Sequence, residues 1–215
     1  MWQKKINSSG AESAAVDPVP GAVEALRRGE VIVFPTETFY GLGADALDAA
    51  AVERVVSLKG RQAASPIAII VADREMLGRV VAEIPPAAQT LMNRFWPGPL
   101  TLVLPARSQL PPPLLNRDGG IGVRISSHPF AARLVEELGR PLTATSANPS
   151  GKEPARTVGE AKTYFAGKVA VYVDGGKLSA EKGSTVVEVW PGEVRMIREG
   201  EIGAAEIQEA LRSSP

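Results

Sequence analysis

The chain has 215 residues, with 24 basic and 24 acidic side chains, one histidine and no cysteine. That length suits one sizeable core rather than two, and the cancelling charges exclude a global field of the kind that holds a protein on nucleic acid or an anionic membrane. The missing thiols exclude disulfides, thiolate catalysis and sulfur-ligated metals, and the lack of a secretory signal or long apolar run makes a single cytoplasmic domain over 1–215 the expectation.

Residues 7–15 are small and polar, and 1–16 read as a loosely held lead-in. Asp17-Pro18, followed by Val23, Ala25, Leu26 and Gly29, carry the cap, early proline and terminal glycine of a short helix. A strand follows at 31–34, and Val52, Val55 and Val56 mark a helix over 50–58 that delivers Lys59 and Arg61 at its C-terminal end. Residues 66–71 form an apolar run suited to a buried strand. Further strands are expected at 100–104, 121–125, 142–145, 170–173, 185–189 and 194–197, with helices near 86–94, 129–138, 158–165 and 204–211. Strand and helix alternate, while the close pair around Trp190-Pro191-Gly192 must be an antiparallel hairpin, so the fold class is α/β with a mixed sheet. Two stretches interrupt the pattern. Residues 105–120 hold four prolines and the Gly119-Gly120 pair and are either a mobile cover over a site or a plain surface connection, whereas 148–157 is an irregular path to the next helix.

Three segments concentrate polar chemistry: Pro35-Thr36-Glu37-Thr38-Phe39-Tyr40-Gly41-Leu42-Gly43, Lys59-Gly60-Arg61, and Thr145-Ser146-Ala147-Asn148. Each lies just past an expected strand or at the end of the helix after one, where open α/β sheets gather ligands. Two cations one residue apart suit a ligand with several negative charges, first of all a phosphate-bearing substrate. Each segment also has an ordinary reading. Lys59 and Arg61 favour a helix dipole, Thr36, Thr38 and Tyr40 suit a turn or strand edge, and Ser146 and Asn148 suit a side-chain-stabilised turn before Pro149.

Other motifs fail on context. No Gly-x-x-x-x-Gly-Lys-Ser/Thr sequence occurs, which excludes an ordinary P-loop. The Gly41-Leu42-Gly43-Ala44-Asp45-Ala46 match to a dinucleotide fingerprint is formal, because six residues separate it from the preceding strand. A Ser146, His128 and Asp174 hydrolase lacks a nucleophile elbow, and one histidine cannot build a His-based metal site.

The joint occurrence of the three segments is specific. With Ser65-Pro66-Ile67, Trp96-Pro97-Gly98-Pro99-Leu100-Thr101, Gly122-Val123-Arg124, His128-Pro129, Gly183-Ser184-Thr185-Val186-Val187 and Arg198-Glu199-Gly200, the chain resembles the YrdC-like threonylcarbamoyl-AMP synthases in their short, single-domain form, over roughly residues 20–205. It departs from that pattern at Gln62, where the family often has proline, and after Arg124, where Ile-Ser-Ser-His-Pro replaces a different proline-containing turn.

The resemblance implies a YrdC-like α/β fold, a twisted mixed parallel and antiparallel sheet with flanking helices around a large concave basic cavity. It also implies synthesis of threonylcarbamoyl-AMP and pyrophosphate from L-threonine, bicarbonate or CO2, and ATP. That product serves threonylcarbamoyladenosine formation in tRNA, together with separate threonylcarbamoyl transferase proteins. Carried over residue by residue, Lys59 and Arg61 are the catalytic phosphate clamp. Ser146, Asn148, Ser184 and Arg198 complete the ATP site, and Thr36, Tyr40, Arg124 and Thr145 surround threonine. Mg2+ is expected to be carried by ATP and not by protein side chains. Glu37 could orient Lys59 or Arg61, or face solvent. A nucleotide- or double-stranded-RNA-binding relative without synthase activity is the alternative, and tRNA or double-stranded RNA stays open as a direct partner.

Overall fold

The computed structural model describes residues 17–60 and 66–213. The expected lead-in, Arg61, Gln62 and Ser65 lie outside the described residues.

Local chemistry sets the element ends. Helix α1 (Pro18–Arg27) starts where Asp17 accepts from the Val19 N–H at 3.1 Å. Strand β1 (Ile32–Phe34) turns back into β2 (Gly41–Gly43), antiparallel, in a segment to which the sequence assigned no strand. The two glycines of β2 answer to packing: a Cβ on Gly41 or Gly43 would come within 3.0 or 2.9 Å of the Phe34 ring. The formal dinucleotide fingerprint is therefore part of a β-hairpin. Helix α2 (Ala49–Lys59) is capped by Asp48 and ends at Gly60, whose φ of 66° is the left-handed conformation that terminates helices. The glycine between Lys59 and Arg61 is thus a helix stop.

Strand β3 is only Ile69–Ile70, shorter than the apolar run 66–71, because Pro66 offers no N–H and Ile67 bonds to Pro113 O of a loop instead. Helix α3 (Arg74–Val80) was not expected, although its signal is present: Asp73 accepts from the Met76 N–H at 2.7 Å, and Met76, Leu77 and Val80 make a buried stripe. Helix α4 (Pro86–Phe95), strands β4 (Leu100–Pro105) and β5 (Gly120–Arg124), and helix α5 (Pro129–Leu138) follow as expected to within a residue or so.

Residues 142–145 were expected as one strand. They form two, β6 (Leu142–Thr143) and β7 (Thr145–Ser146), in different sheets. The chain crosses at Ala144, and the buried Thr143 hydroxyl pins the crossing by accepting from Ala44 N at 2.8 Å and donating to Leu42 O at 3.2 Å. After α6 (Val158–Phe165) and β8 (Val171–Tyr172) come the hairpin β9 (Thr185–Trp190) and β10 (Glu193–Arg198), then α7 (Ala204–Arg212). Gly192, with φ of 78°, closes the hairpin turn.

Two mixed sheets result where one was expected: β7-β2-β1-β8 and β10-β9-β4-β5-β3-β6. The larger sheet alternates cleanly between faces. Leu100, Leu102, Leu104, Ile121, Val123, Val187 and Val189 are buried in the core, while their neighbours Thr101, Val103, Gly120, Gly122, Arg124, Val186 and Glu188 face a cavity. No described helix is long and apolar enough to cross a membrane.

Candidate active site

The cavity, about 880 Å³, lies between that face of the six-stranded sheet and the turn and strands around β2 and β7. Its floor is bare because Ala68, Gly120 and Gly122 carry little or no side chain. Gly122 leaves no slack: a Cβ there would sit 3.3 Å from the Thr101 methyl and 3.4 Å from the Ala68 Cβ. Among the described lining residues, Arg117, Arg124, Arg195 and Arg198 face Asp118, Glu188 and Glu199. The charge of the described lining is therefore mixed.

Lys59, Ser146 and Asn148 come together from segments nearly ninety residues apart, as the resemblance implied. The Lys59 ammonium donates to Ser146 O at 2.6 Å and lies 3.4 Å from both Ser146 Oγ and Asn148 Oδ1. Ser146 lines the cavity, whereas Lys59 is 3 % and Asn148 6 % exposed. Asn148 Nδ2 donates to Pro149 O and Lys152 O, at 2.9 and 2.6 Å, so both ends of its amide serve the protein. Through these bonds the residue fixes the 148–152 turn and braces Lys59.

Ser184 and Arg198 also meet. Arg198 Nη2 donates to Ser184 O at 2.8 Å, and Ser184 Oγ lies 2.9 Å from Thr101 Oγ1. Arg198 is exposed as a residue, yet its guanidinium reaches into the cavity, where desolvation first and the like charge of Arg124 second lower its pKa.

Arg124 ends β5 at the cavity and pairs with Glu37 at 2.7 Å, the two side chains being 7 % and 12 % exposed. Burial pushes the guanidinium below its ordinary pKa, and the Glu37 carboxylate pulls it back. Glu37 does not face solvent: it is largely buried, and among the described residues, which do not include Arg61, its partners are Arg124 and the Ser126 hydroxyl, which donates to its second oxygen. Sequence reading missed this because Glu37 and Arg124 lie 87 positions apart.

Thr36, Tyr40 and Thr145 line the cavity. Thr36 Oγ1 donates to Phe39 O at 2.7 Å and accepts from Thr38 N at 3.2 Å, which shapes the turn carrying Glu37. Tyr40 OH donates to Gly176 O at 2.7 Å and accepts from Gly175 N at 2.9 Å, and burial raises its pKa. These two hydroxyls are engaged within the protein, so Thr36 and Tyr40 shape the wall but do not offer a free hydroxyl to a ligand.

A second polar cluster was not foreseen. Buried Glu188 accepts from Asn116 Nδ2 at 2.8 Å and from Arg195 Nε at 3.0 Å, and all three residues line the cavity. Period-two alternation through β9 was the available signal, since it sets Glu188 opposite the core-facing Val187 and Val189. Through Asn116 the cluster fixes the 105–120 segment, whose buried Leu114 and hydrogen bonds Ala106 N to Gly119 O and Asn116 N to Gly120 O make it a cavity wall. No group of three or more His, Cys, Asp or Glu among the described residues is placed to hold a metal ion.

The Sua5/YciO/YrdC family model, described as telomere recombination, matches residues 24–200. The chain is 40% identical over 176 residues to the threonylcarbamoyl-AMP synthase of Thiobacillus denitrificans, covering 81% of this chain and 93% of that one. It is 39% identical over 186 residues to the threonylcarbamoyl-AMP synthase of Pyrococcus abyssi, covering 86% of this chain but only 55% of the archaeal protein. Among solved structures, P. abyssi Sua5 complexed with L-threonine matches with a TM-score of 0.85 at 38% identity, over 89% of this chain and 56% of that one. Escherichia coli YciO matches with a TM-score of 0.79 at 29% identity, over 88% of this chain and 92% of that one.

Proposed function

The chain belongs to the Sua5/YciO/YrdC family, and from that premise we propose that it is a threonylcarbamoyl-AMP synthase, using L-threonine, bicarbonate or CO2, and ATP. The observation that carries this reading is the cavity into which buried Arg124, the Lys59-braced Ser146 and Arg198 converge from three distant segments. The names of relatives that this chain spans nearly end to end favour a synthase over a protein that only binds nucleotide or RNA.

The threonine amine adds to CO2 and becomes a carbamate; a carbamate oxygen then attacks the α-phosphorus of ATP, and pyrophosphate leaves. Because the nucleophile comes from substrate, the protein needs no Ser, Cys or His nucleophile, in keeping with a chain without cysteine. Its contribution is to position the reactants and to neutralise charge that develops on phosphoryl oxygens. Magnesium arrives with ATP as part of the substrate. Lys59 supplies fixed positive charge behind Ser146, and the resemblance assigns Arg61 to the same clamp. Ser184 and Arg198 hold the nucleotide, while Arg124 receives the threonine carboxylate in a wall built by Thr36, Tyr40 and Thr145. The product passes to separate transferase proteins for tRNA modification.

The test is threonine-dependent pyrophosphate release from ATP in bicarbonate buffer. Release that requires threonine supports the synthase; release indifferent to threonine, or none, overturns it.

A further inference from the structure

A buried carboxylate that the reaction as written does not use, Glu37, pairs with Arg124 of the cavity lining. We propose that Glu37 is the positioning residue that aims the Arg124 guanidinium at the threonine carboxylate, an assignment that rests on the synthase reading above.

Glu37 is not placed to act on substrate. One carboxylate oxygen accepts from Arg124 Nη1 at 2.7 Å, and the other accepts from the Ser126 hydroxyl. Ser126 Oγ in turn accepts from His128 N at 3.2 Å, and His128 Nδ1 caps α5 by accepting from Phe130 N at 3.2 Å. The carboxylate is therefore anchored through Ser126 to the start of a helix, and on its own side by the Thr36 turn. Arg124 lines the cavity with one hydrogen of its fork on Glu37, which among the described residues leaves the rest of the guanidinium to a ligand.

Charge balance points the same way. Arg124 and Arg198 are like charges close enough to act on each other, and the bonds of Arg198 run to neutral Ser184. Glu37 offsets the charge of Arg124, which lets the two cations lie near one another. Without Glu37, burial and repulsion from Arg198 both drive the Arg124 guanidinium away from this position.

The experiment measures kcat and the KM values for threonine and ATP in wild type, Glu37→Ala, Glu37→Gln and Ser126→Ala, with a urea unfolding curve for each. Glu37→Ala is expected to raise the threonine KM by about tenfold to a hundredfold, as loss of an orienting partner does, and to leave the ATP KM within about twofold. Glu37→Gln keeps an acceptor oxygen for Arg124 but removes the cancelling charge, so it is expected to give a threonine KM between those of wild type and Glu37→Ala. Ser126→Ala should shift the threonine KM in the same direction by a smaller factor. The proposal is overturned if Glu37→Ala leaves the threonine KM unchanged or raises both KM values alike, as a merely structural residue would. If Glu37→Ala does not fold, Ser126→Ala decides on the same criterion. Wild type without threonine-dependent turnover is a different failure, which removes the synthase reading and this assignment with it.

Discussion

The Lys59 ammonium lies 2.6 Å from the main-chain oxygen of Ser146, so the last residue of α2 is hydrogen-bonded to β7. Ser150 N returns a bond to Lys59 O at 2.8 Å, which locks the helix end and the 146–150 turn together. The cation thus both builds the site and places charge beside it. Lys59→Met keeps most of the buried stem and removes both effects. We expect pyrophosphate release to fall by about a hundredfold or more, the scale for losing a preorganised charge contact. Near-normal release in a folded Lys59→Met protein would remove Lys59 from the phosphate clamp.

Tyr40 shows how a motif residue can be structural in its polar atom. Its hydroxyl bridges Gly175 N and Gly176 O, so Tyr40→Phe should cost about 1–3 kcal/mol by leaving buried backbone groups unpaired. Discrimination between threonine and valine should be unchanged, because the hydroxyl already has two partners. The urea midpoint and the threonine-to-valine ratio of kcat/KM check the two halves, and loss of discrimination would return the hydroxyl to the substrate.

Much of this architecture was legible in the sequence, and the gaps have physical causes. Helix α1 announced itself through Asp17, Pro18 and Gly29, and α2 through Val52, Val55 and Val56. The paired strands β9 and β10 followed from one Pro-Gly turn. What escaped was set by tertiary contacts. The strand at Gly41 and Gly43 was missed because the reason for these glycines is the Phe34 ring across the hairpin, and the sheet crossing at Ala144 depends on the buried Thr143 hydroxyl. Within the site, the resemblance brought Lys59, Ser146 and Asn148 to one place, but the partners of Glu37, Asn148 and Tyr40 lie on other elements and no local pattern reveals them.

His128 makes stability depend on pH. Its Nδ1 accepts the Phe130 N–H, so the cap requires a neutral ring. Burial lowers its pKa, with Glu37 pulling upward. A lowered folded value means that the unfolded chain takes up the proton first. The stabilising contribution is therefore fully present above about pH 6.5 and is lost as pH falls through the folded value. The urea midpoint of wild type should drop over this interval more than that of His128→Asn, which retains a capping oxygen without titrating. Parallel pH profiles would exclude this source.

Gly122 tests the bare floor. Even an added Cβ meets the Thr101 methyl and Ala68, and a longer side chain must project into the cavity. Gly122→Leu should keep a cooperative unfolding transition at a cost of about 1–3 kcal/mol from overpacking. It should also abolish calorimetric binding of threonine and ATP. Retained binding of both would place the ligands elsewhere.

Glu188 decides whether the proline-rich segment works as a wall. Its carboxylate joins Asn116 on that segment to Arg195 on β10, and it is 3 % exposed although Arg195 is largely solvated. Glu188→Ala leaves the Asn116 amide without this partner, a loss of about 1–3 kcal/mol that should appear locally, since Leu114 and the Ala106 to Gly119 bond still hold the base of the loop. Amide exchange should accelerate across 111–118 and stay unchanged in β4. The chemical consequence follows from the proposed product: a mixed carbamic–phosphoric anhydride is destroyed by water, so a loosened wall should raise ATP consumed per intermediate formed. Wild type should already protect Leu115 and Asn116 without ligands, because their N–H groups bond to Pro112 O and Gly120 O. If those amides are protected only when threonine and ATP are both present, the segment is a closing cover, and the Glu188 cluster is the latch of its closed state rather than part of a standing wall.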